Sequence, residues 1–236
     1  MSIAEKFEVI ADAVYDKGLS HKEDEMARAV ANAITRNGTR TEYSNNYQPF
    51  AYTDFSGFDF KGYLKPTGVV DSFFRLYKGK ELPKGVDLSG VTSSNSMFSY
   101  IFNVGSTIVI PYMGLPALPS YTDFYLNTFA QQIELIKSTK DTTYTQTFYK
   151  ANELVTVAFE GEIGQDISFQ SSSKLSVETV IHILQHLFDY SGTEDEGKTI
   201  TLHATVKARM ANEGQIAELD NKTYDAYISD KGWTLA

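Results

Sequence analysis

Apolar positions recur along the chain in three different rhythms. At the N-terminus Ile3, Phe7, Ile10 and Val14 are spaced by four, three and four residues. That is the two-stripe pattern of a coiled-coil seam, sustained over two heptads. Gly18 stops this helix, and Ser20 with Glu23 has the spacing of a capping box for a second one. The second helix runs to Arg36 with Met26, Val30, Ala33 and Ile34 on one face, and Asn37-Gly38 fits its end. The pair has two readings: a cap on its own domain, or a device that joins copies of the chain or plugs into a larger assembly.

The middle of the chain repeats itself. Gly57-Phe58-Asp59-Phe60-Lys61-Gly62 matches Gly85-Val86-Asp87-Leu88-Ser89-Gly90 at an offset of 28 residues. Val70 and Phe74 are four apart, as are Phe98 and Phe102, Tyr125 and Phe129, and Tyr144 and Phe148. An apolar pair at that spacing predicts a helical turn with both side chains on one face. Short strand-like pieces follow at Glu81-Leu82-Pro83, Ile108-Val109-Ile110, Ile133-Glu134-Leu135 and Val155-Thr156-Val157. A unit of roughly 20 to 29 residues with one strand and one helical turn has the leucine-rich-repeat format. Such units must stack, because one alone cannot bury its apolar face. Pro83, Pro111, Pro116 and Pro119 mark turns between units.

The last third reads as alternating strands and helices. Val157 with Phe159, Ile167 with Phe169, Ile200 with Leu202, and Trp233 with Leu235 share one strand alternation, expected as rungs of the same array. Ser176 caps a helix whose apolar face is Val177, Val180, Ile181, Leu184, Leu187 and Phe188. Shorter helical pieces are expected around Val206 to Ala211 and Tyr224 to Ile228. The fold class expected is therefore α+β repeat: a short leucine-rich-repeat-like solenoid with N-terminal helices and a helix-strand C-terminal cap. Its boundaries fall at residues 1–40, 41–170 and 171–236.

Composition narrows the function. The 236 residues carry a net charge of -9, without the basic stripe that nucleic-acid binding needs. No cysteine is present, which removes disulfides, thiolate catalysis and cysteine-held zinc. The opening Met1-Ser2-Ile3-Ala4-Glu5-Lys6 has no apolar run, so no secretory signal is expected, and no stretch is long enough to span a membrane. Aromatic content is the unusual feature, with 15 Tyr and 15 Phe against one Trp. One reading makes them core, with Tyr half-buried over Phe. The other makes Tyr43, Tyr47, Tyr52 and Tyr63 a recognition surface, because Tyr offers rigid contact area at small entropic cost.

Candidate chemistry is thin. His182 and His186 lie four apart on a helix with Asp189 three further on, a spacing that could hold a metal. The apolar stripe of that helix lies on the other face, which turns both His to solvent, and Ile183 stands where the zinc-protease pattern needs Glu. Ser171-Ser172-Ser173-Lys174 has the Ser-x-x-Lys spacing without companion motifs. Glu160 and Glu162 are paired acids on an exposed turn. No catalytic, cofactor-binding or metal-binding residue is expected, and no cofactor.

The opening block, with Val14-Tyr15-Asp16-Lys17-Gly18, resembles the start of a group of phage and prophage proteins from gut Firmicutes. Phe159-Glu160-Gly161-Glu162-Ile163-Gly164-Gln165-Asp166-Ile167-Ser168-Phe169-Gln170, with Leu175-Ser176 and Gly232-Trp233, resembles that group's C-terminal cap. Its members carry degenerate leucine-rich repeats of the BspA surface-protein type. Here the small polar residues and Cys that follow the Phe in that group are missing, and the third spacing is short. The resemblance implies a non-enzymatic virion-associated structural or adhesive protein: a fibre, an appendage or a baseplate neighbour. Ile3, Phe7, Ile10 and Val14 would attach it to other virion proteins or to sister copies as a homo-oligomer, a trimer among the options. Its outward partner would be a host surface glycan or protein, with no nucleic acid and no membrane involved. The alternatives are a phage glycan depolymerase and a bacterial surface adhesin with leucine-rich repeats.

Overall fold

The computed structural model describes residues 49–101, 108–193 and 197–236. The N-terminal helices expected over residues 1–40, with Ile3, Phe7, Ile10 and Val14, lie outside the described residues. So do Tyr43, Tyr47 and Phe102, and most of the acidic loop at 194–196. Ten short strands are described: β1 (Asp59–Leu64), β2 (Thr67–Val69), β3 (Lys84–Val86), β4 (Gly90–Ser93), β5 (Ile108–Ile110), β6 (Ala130–Ser138), β7 (Thr156–Gly161), β8 (Ile167–Phe169), β9 (Lys198–Leu202) and β10 (Trp233–Leu235). Three helices accompany them, α1 (Val177–Gln185), α2 (Ala204–Glu213) and α3 (Tyr224–Asp230), with a 3-10 turn at Ala217–Leu219.

The helical turns expected from the four-residue apolar spacing are not helical. Each segment makes two successive turns closed by bonds across three residues, for example Arg75 N–H to Ser72 O at 3.1 Å and Tyr77 N–H to Phe74 O at 3.2 Å. The backbone flips into the left-handed region at every fourth residue. Ser72, Ser96, Asp123 and Gln146 form one column with φ of 57°, 56°, 53° and 52°. Tyr52, Leu76, Tyr100, Asn127 and Lys150 form the second, between 50° and 63°. Both a helix and this alternation return the chain to the same face after four residues, so the spacing alone does not separate them. They differ in where the backbone groups point. A helix spends its N–H groups along its own axis. Here every second N–H points sideways into the next segment: Ser72, Phe74 and Leu76 donate to Asn95, Met97 and Ser99 at 2.9, 2.8 and 3.2 Å. Ser96, Phe98 and Tyr100 donate in turn to Thr122, Phe124 and Leu126, and Asp123, Tyr125 and Asn127 to Thr145, Thr147 and Tyr149.

Inside this ladder the rings lie one above the next. Phe50, Phe74, Phe98, Tyr125, Phe148 and Phe169 form a continuous stack with centroid separations between 4.5 and 5.7 Å. Each aromatic pair adds about 0.5–1.5 kcal/mol beyond the area it buries. Buried hydroxyls tie successive segments together as well. Thr142 Oγ1 donates to Leu118 O at 3.0 Å, Thr147 Oγ1 to Tyr121 O at 2.7 Å, and Ser172 Oγ to Ala151 O at 3.0 Å.

The strands do not close into one repeat solenoid, and the expected fold class is corrected accordingly. They sort into four small parallel sheets: β1-β3, β2-β4, β5-β6-β7 and β10-β9-β8. The strand expected at Glu81-Leu82-Pro83 begins only at Lys84. β7 and β8, expected as rungs of one array, belong to different sheets. The described helices are short and all lie in the last third of the chain. What persists of the expectation is a mixture of short strands and helices. The breaks have identifiable neighbours in the sequence: Pro83 precedes β3, Pro111 follows β5, and proline cannot donate to a ladder.

The C-terminal part closes the core. Ser176 Oγ accepts the Thr179 N–H at 3.1 Å, capping α1 as expected. Lys231 holds the other end of that helix, donating to Leu187 O at 2.7 Å and Gln185 O at 3.2 Å. A cation there satisfies carbonyls that have no partner in the helix and complements its dipole. Trp233 is buried in β10 and donates from Nε1 to Phe188 O at 2.8 Å.

The left-handed column separates the two backbone forms experimentally. Gln146 is exposed with φ 52°. In a helix Gly would be worse than Val, but here the order reverses, with Gln146→Gly more stable than Gln146→Val by about 1–2 kcal/mol. Urea denaturation of the two variants checks this.

Candidate functional site

Two of the sheet breaks open into shallow clefts. The first lies between β3 and β5, which belong to different sheets, and encloses about 480 Å³. Leu88 N–H donates to Met113 O at 2.7 Å just beyond it, so the two edges are tied at one end and splayed at the other. Leu82, Pro83, Val86, Pro111 and Met113 supply its apolar wall. Tyr112 is 39 % exposed and lines the same cleft. Its backbone N–H donates to Glu134 Oε2 at 3.0 Å, bringing a β6 carboxylate to the tyrosine. Lys137 Nζ sits 5.5 Å from the Tyr112 ring centre, a cation–π distance, and is held from behind by Glu160 at 2.9 Å. The Glu160 carboxylate is the main reason the Lys137 ammonium is raised above its usual range. Glu81 and Lys84 also line it. An apolar wall, one ring and converging charges of both signs suit a ligand that is apolar on one side and polar on the other.

The second cleft also encloses about 480 Å³ and is lined by Thr143, Thr145, Asp166, Ser168, Thr199 and Thr201 among others. Strand alternation produces it: Tyr144, Ile167 and Ile200 point inward while the hydroxyl residues beside them face out. Asp166 Oδ1 accepts the Thr199 N–H at 2.7 Å, so this carboxylate is engaged in joining β8 to β9. The surface is rich in hydroxyls, and the one ring in its lining, Tyr144, is buried.

The histidines are not turned to solvent, contrary to the expectation from the apolar stripe. Both are half-buried against the outer edge of β7. His182 Nε2 lies 2.9 Å from the Phe159 N–H and 3.2 Å from the Phe159 carbonyl oxygen: unprotonated it accepts from the first, protonated it donates to the second. His186 Nδ1 lies 2.7 Å from Gly161 O and donates to it. The rings are 4.4 Å apart. A free strand edge invites pairing with another chain, and here two side chains occupy it instead. Gly161 adopts φ 92°, and a Cβ there would run into the Ser138 carbonyl, so only glycine lets β7 end this way. Burial lowers the His182 pKa, the neighbouring His186 lowers it further, and the Phe159 backbone opposes both.

Of the tyrosines expected to form a recognition surface, two are described. Tyr52 is 66 % exposed with Lys78 5.0 Å from its ring centre, and Tyr63 is 37 % exposed on β1. They sit on different elements, Tyr52 on a turn column and Tyr63 on a strand. Tyr149, half-exposed beneath Lys150 at 5.4 Å, repeats the Tyr52 arrangement. Many other tyrosines are core, among them Tyr77, Tyr121 and Tyr125. Burial pushes the Tyr77 hydroxyl up to about 12. Tyr112 escaped the sequence reading; the available signal was a tyrosine directly after Pro111 at the end of an apolar strand. Glu160 of the acid pair is taken by Lys137, and Ser172 and Lys174 of the Ser-rich turn bond to Ala151 O and Glu153. Among the described residues no three His, Asp or Glu side chains converge as a metal site, and no helix is long and apolar enough to cross a membrane.

No family model matches the chain, and neither a curated protein nor a solved structure matches it.

The edge cap carries a pH dependence whose sign is fixed. His182 is held below its unfolded pKa, so the native state binds fewer protons there than the unfolded chain. Stability is therefore fullest above pH of about 6.5 and declines as pH falls through that value toward the lower native pKa. His182→Leu should cost about 1–3 kcal/mol at neutral pH by leaving the Phe159 N–H unpaired, and should flatten the decline. Thermal melts of both proteins across pH 7.5 to 5, a range of roughly one to two units around the histidine pKa, measure it.

Proposed function

We propose that the chain is a non-enzymatic, virion-associated structural and adhesive protein of a phage or prophage. The observation that carries the adhesive part is the set of exposed tyrosines that each carry a lysine over the ring: Tyr52 under Lys78, Tyr112 under Lys137 and Tyr149 under Lys150. Tyrosine offers large contact area at small entropic cost, and a cation over one face restricts the ring further, both of which suit a recognition surface. The virion part rests on the resemblance of the two end blocks to phage proteins. In this reading the N-terminal heptads, through Ile3, Phe7, Ile10 and Val14, join the chain to other virion proteins or sister copies, and the tyrosine surface faces the host.

A second reading, a glycan depolymerase, is favoured by one observation, the presence of Glu81 and Glu134 in the same cleft. Release of reducing ends from host cell-wall polysaccharide, abolished by Glu134→Gln, would promote it.

The adhesive reading is tested with particles. Purified protein added to host cells should reduce adsorption of the parent phage in a dose-dependent way, and gold-labelled antibody should decorate intact virions. Undecorated virions with unaltered adsorption would remove the proposal.

A further inference from the structure

We propose that the cleft between β3 and β5 is a binding subsite for a neutral, hydroxyl-rich oligosaccharide, with Tyr112 as its platform. This deepens the adhesive reading and rests on it for the biological source of the sugar, but not for the binding itself.

Three features select that class. The wall is apolar, built from Leu82, Pro83, Val86, Pro111 and Met113, and Tyr112 adds an exposed ring. Such a surface fits the C–H face of a pyranose, the less polar side of an otherwise polar molecule. The polar groups are of both signs: Glu81, Glu134 and Lys84 are in the lining, and Lys137 lies over the ring with Glu160 behind it. Acids and lysines set side by side favour neither a strongly anionic nor a strongly cationic ligand, whereas carboxylates accept from hydroxyls and ammoniums donate to them. Size is the third feature. About 480 Å³ lies in the range of ligand sites, and the cleft is open rather than enclosed, which lets a chain continue past its ends. The threonine cleft has the same volume, but the one ring in its lining, Tyr144, is buried, so it offers no exposed platform for the apolar face of a sugar.

The ring is also held in place. The Tyr112 N–H bond to Glu134 fixes the backbone, and Lys137 fixes the side chain from one face while Glu160 holds the lysine. A platform with its rotamer already chosen loses little freedom on binding.

The test uses the purified full-length protein titrated with cellotetraose, chitotetraose and maltotetraose, followed by amide chemical shifts in NMR. Tri-lysine and tri-glutamate serve as charged competitors. At least one sugar should shift amides around Tyr112 and Glu134, and neither charged peptide should. Tyr112→Ala should weaken binding about tenfold or more, the scale of one aromatic anchor, while Tyr112→Phe keeps it. Glu134→Gln should weaken it with an unchanged amide spectrum elsewhere, which separates lost contacts from lost folding. Thr145→Ala, in the other cleft, should leave binding as it was. Binding of a charged peptide in preference to every sugar, sugar binding indifferent to Tyr112→Ala, or no shift with any of the three sugars would each overturn the proposal. Particle adsorption is read separately, so a silent cleft with continued competition for host cells would reject the subsite and leave the adhesive role standing.

Discussion

The structure depends on one backbone device: turns of alternating hand that aim every second peptide group sideways. A left-handed backbone costs a non-glycine residue on the order of 1 kcal/mol or more. Nine such residues stand in the two columns that begin at Ser72 and Tyr52. They persist because the sideways bonds, from Ser72 N–H to Asn95 O through Asn127 N–H to Tyr149 O, over-determine the backbone there. The same geometry stacks Phe50, Phe74, Phe98, Tyr125, Phe148 and Phe169 face on face. Strain, hydrogen bonding and aromatic packing are thus three consequences of one arrangement, and none would hold without the others.

The sheets on the opposite side of the segments are less continuous than the turns. Prolines and short strands interrupt them, and the interruptions become the surface features from which a function can be argued. One break exposes Tyr112 among apolar and charged neighbours. Another lays out threonines beside β8. A strand edge that is not left open, β7, is closed by His182 and His186 rather than by another strand. Histidine suits that place because its two ring nitrogens can accept from an N–H and donate to a carbonyl, matching the alternating groups of a strand edge.

Much of the secondary structure in the last third was legible from the residues. Ser176 announced α1, the alternation of Ile200 with Leu202 and of Trp233 with Leu235 marked β9 and β10, and Tyr224 to Ile228 marked α3. These signals are local: a cap, a period of two, a period of 3.6. The misreadings came where a local signal admits two backbones. The pair Tyr144 and Phe148 fits a helical turn and a double turn equally, and only the sideways partner of the peptide group decides. The outward placement given to His182 failed for a similar reason, because the stripe of α1 did not reveal that a strand edge lay beside its polar flank.

By itself the sequence determined the aliphatic core positions of the last third, several of the places where the chain turns, and that no thiol chemistry is available. Those properties follow from hydropathy, from proline and glycine, and from composition. The handedness of the turns, the division of the strands into four sheets and the gathering of Tyr112, Glu81 and Glu134 at one cleft were decided only by the tertiary structure. Each depends on groups more than 20 residues apart satisfying one another's hydrogen bonds or packing, as in Tyr112 with Glu134 at a separation of 22. No local pattern encodes such a partner.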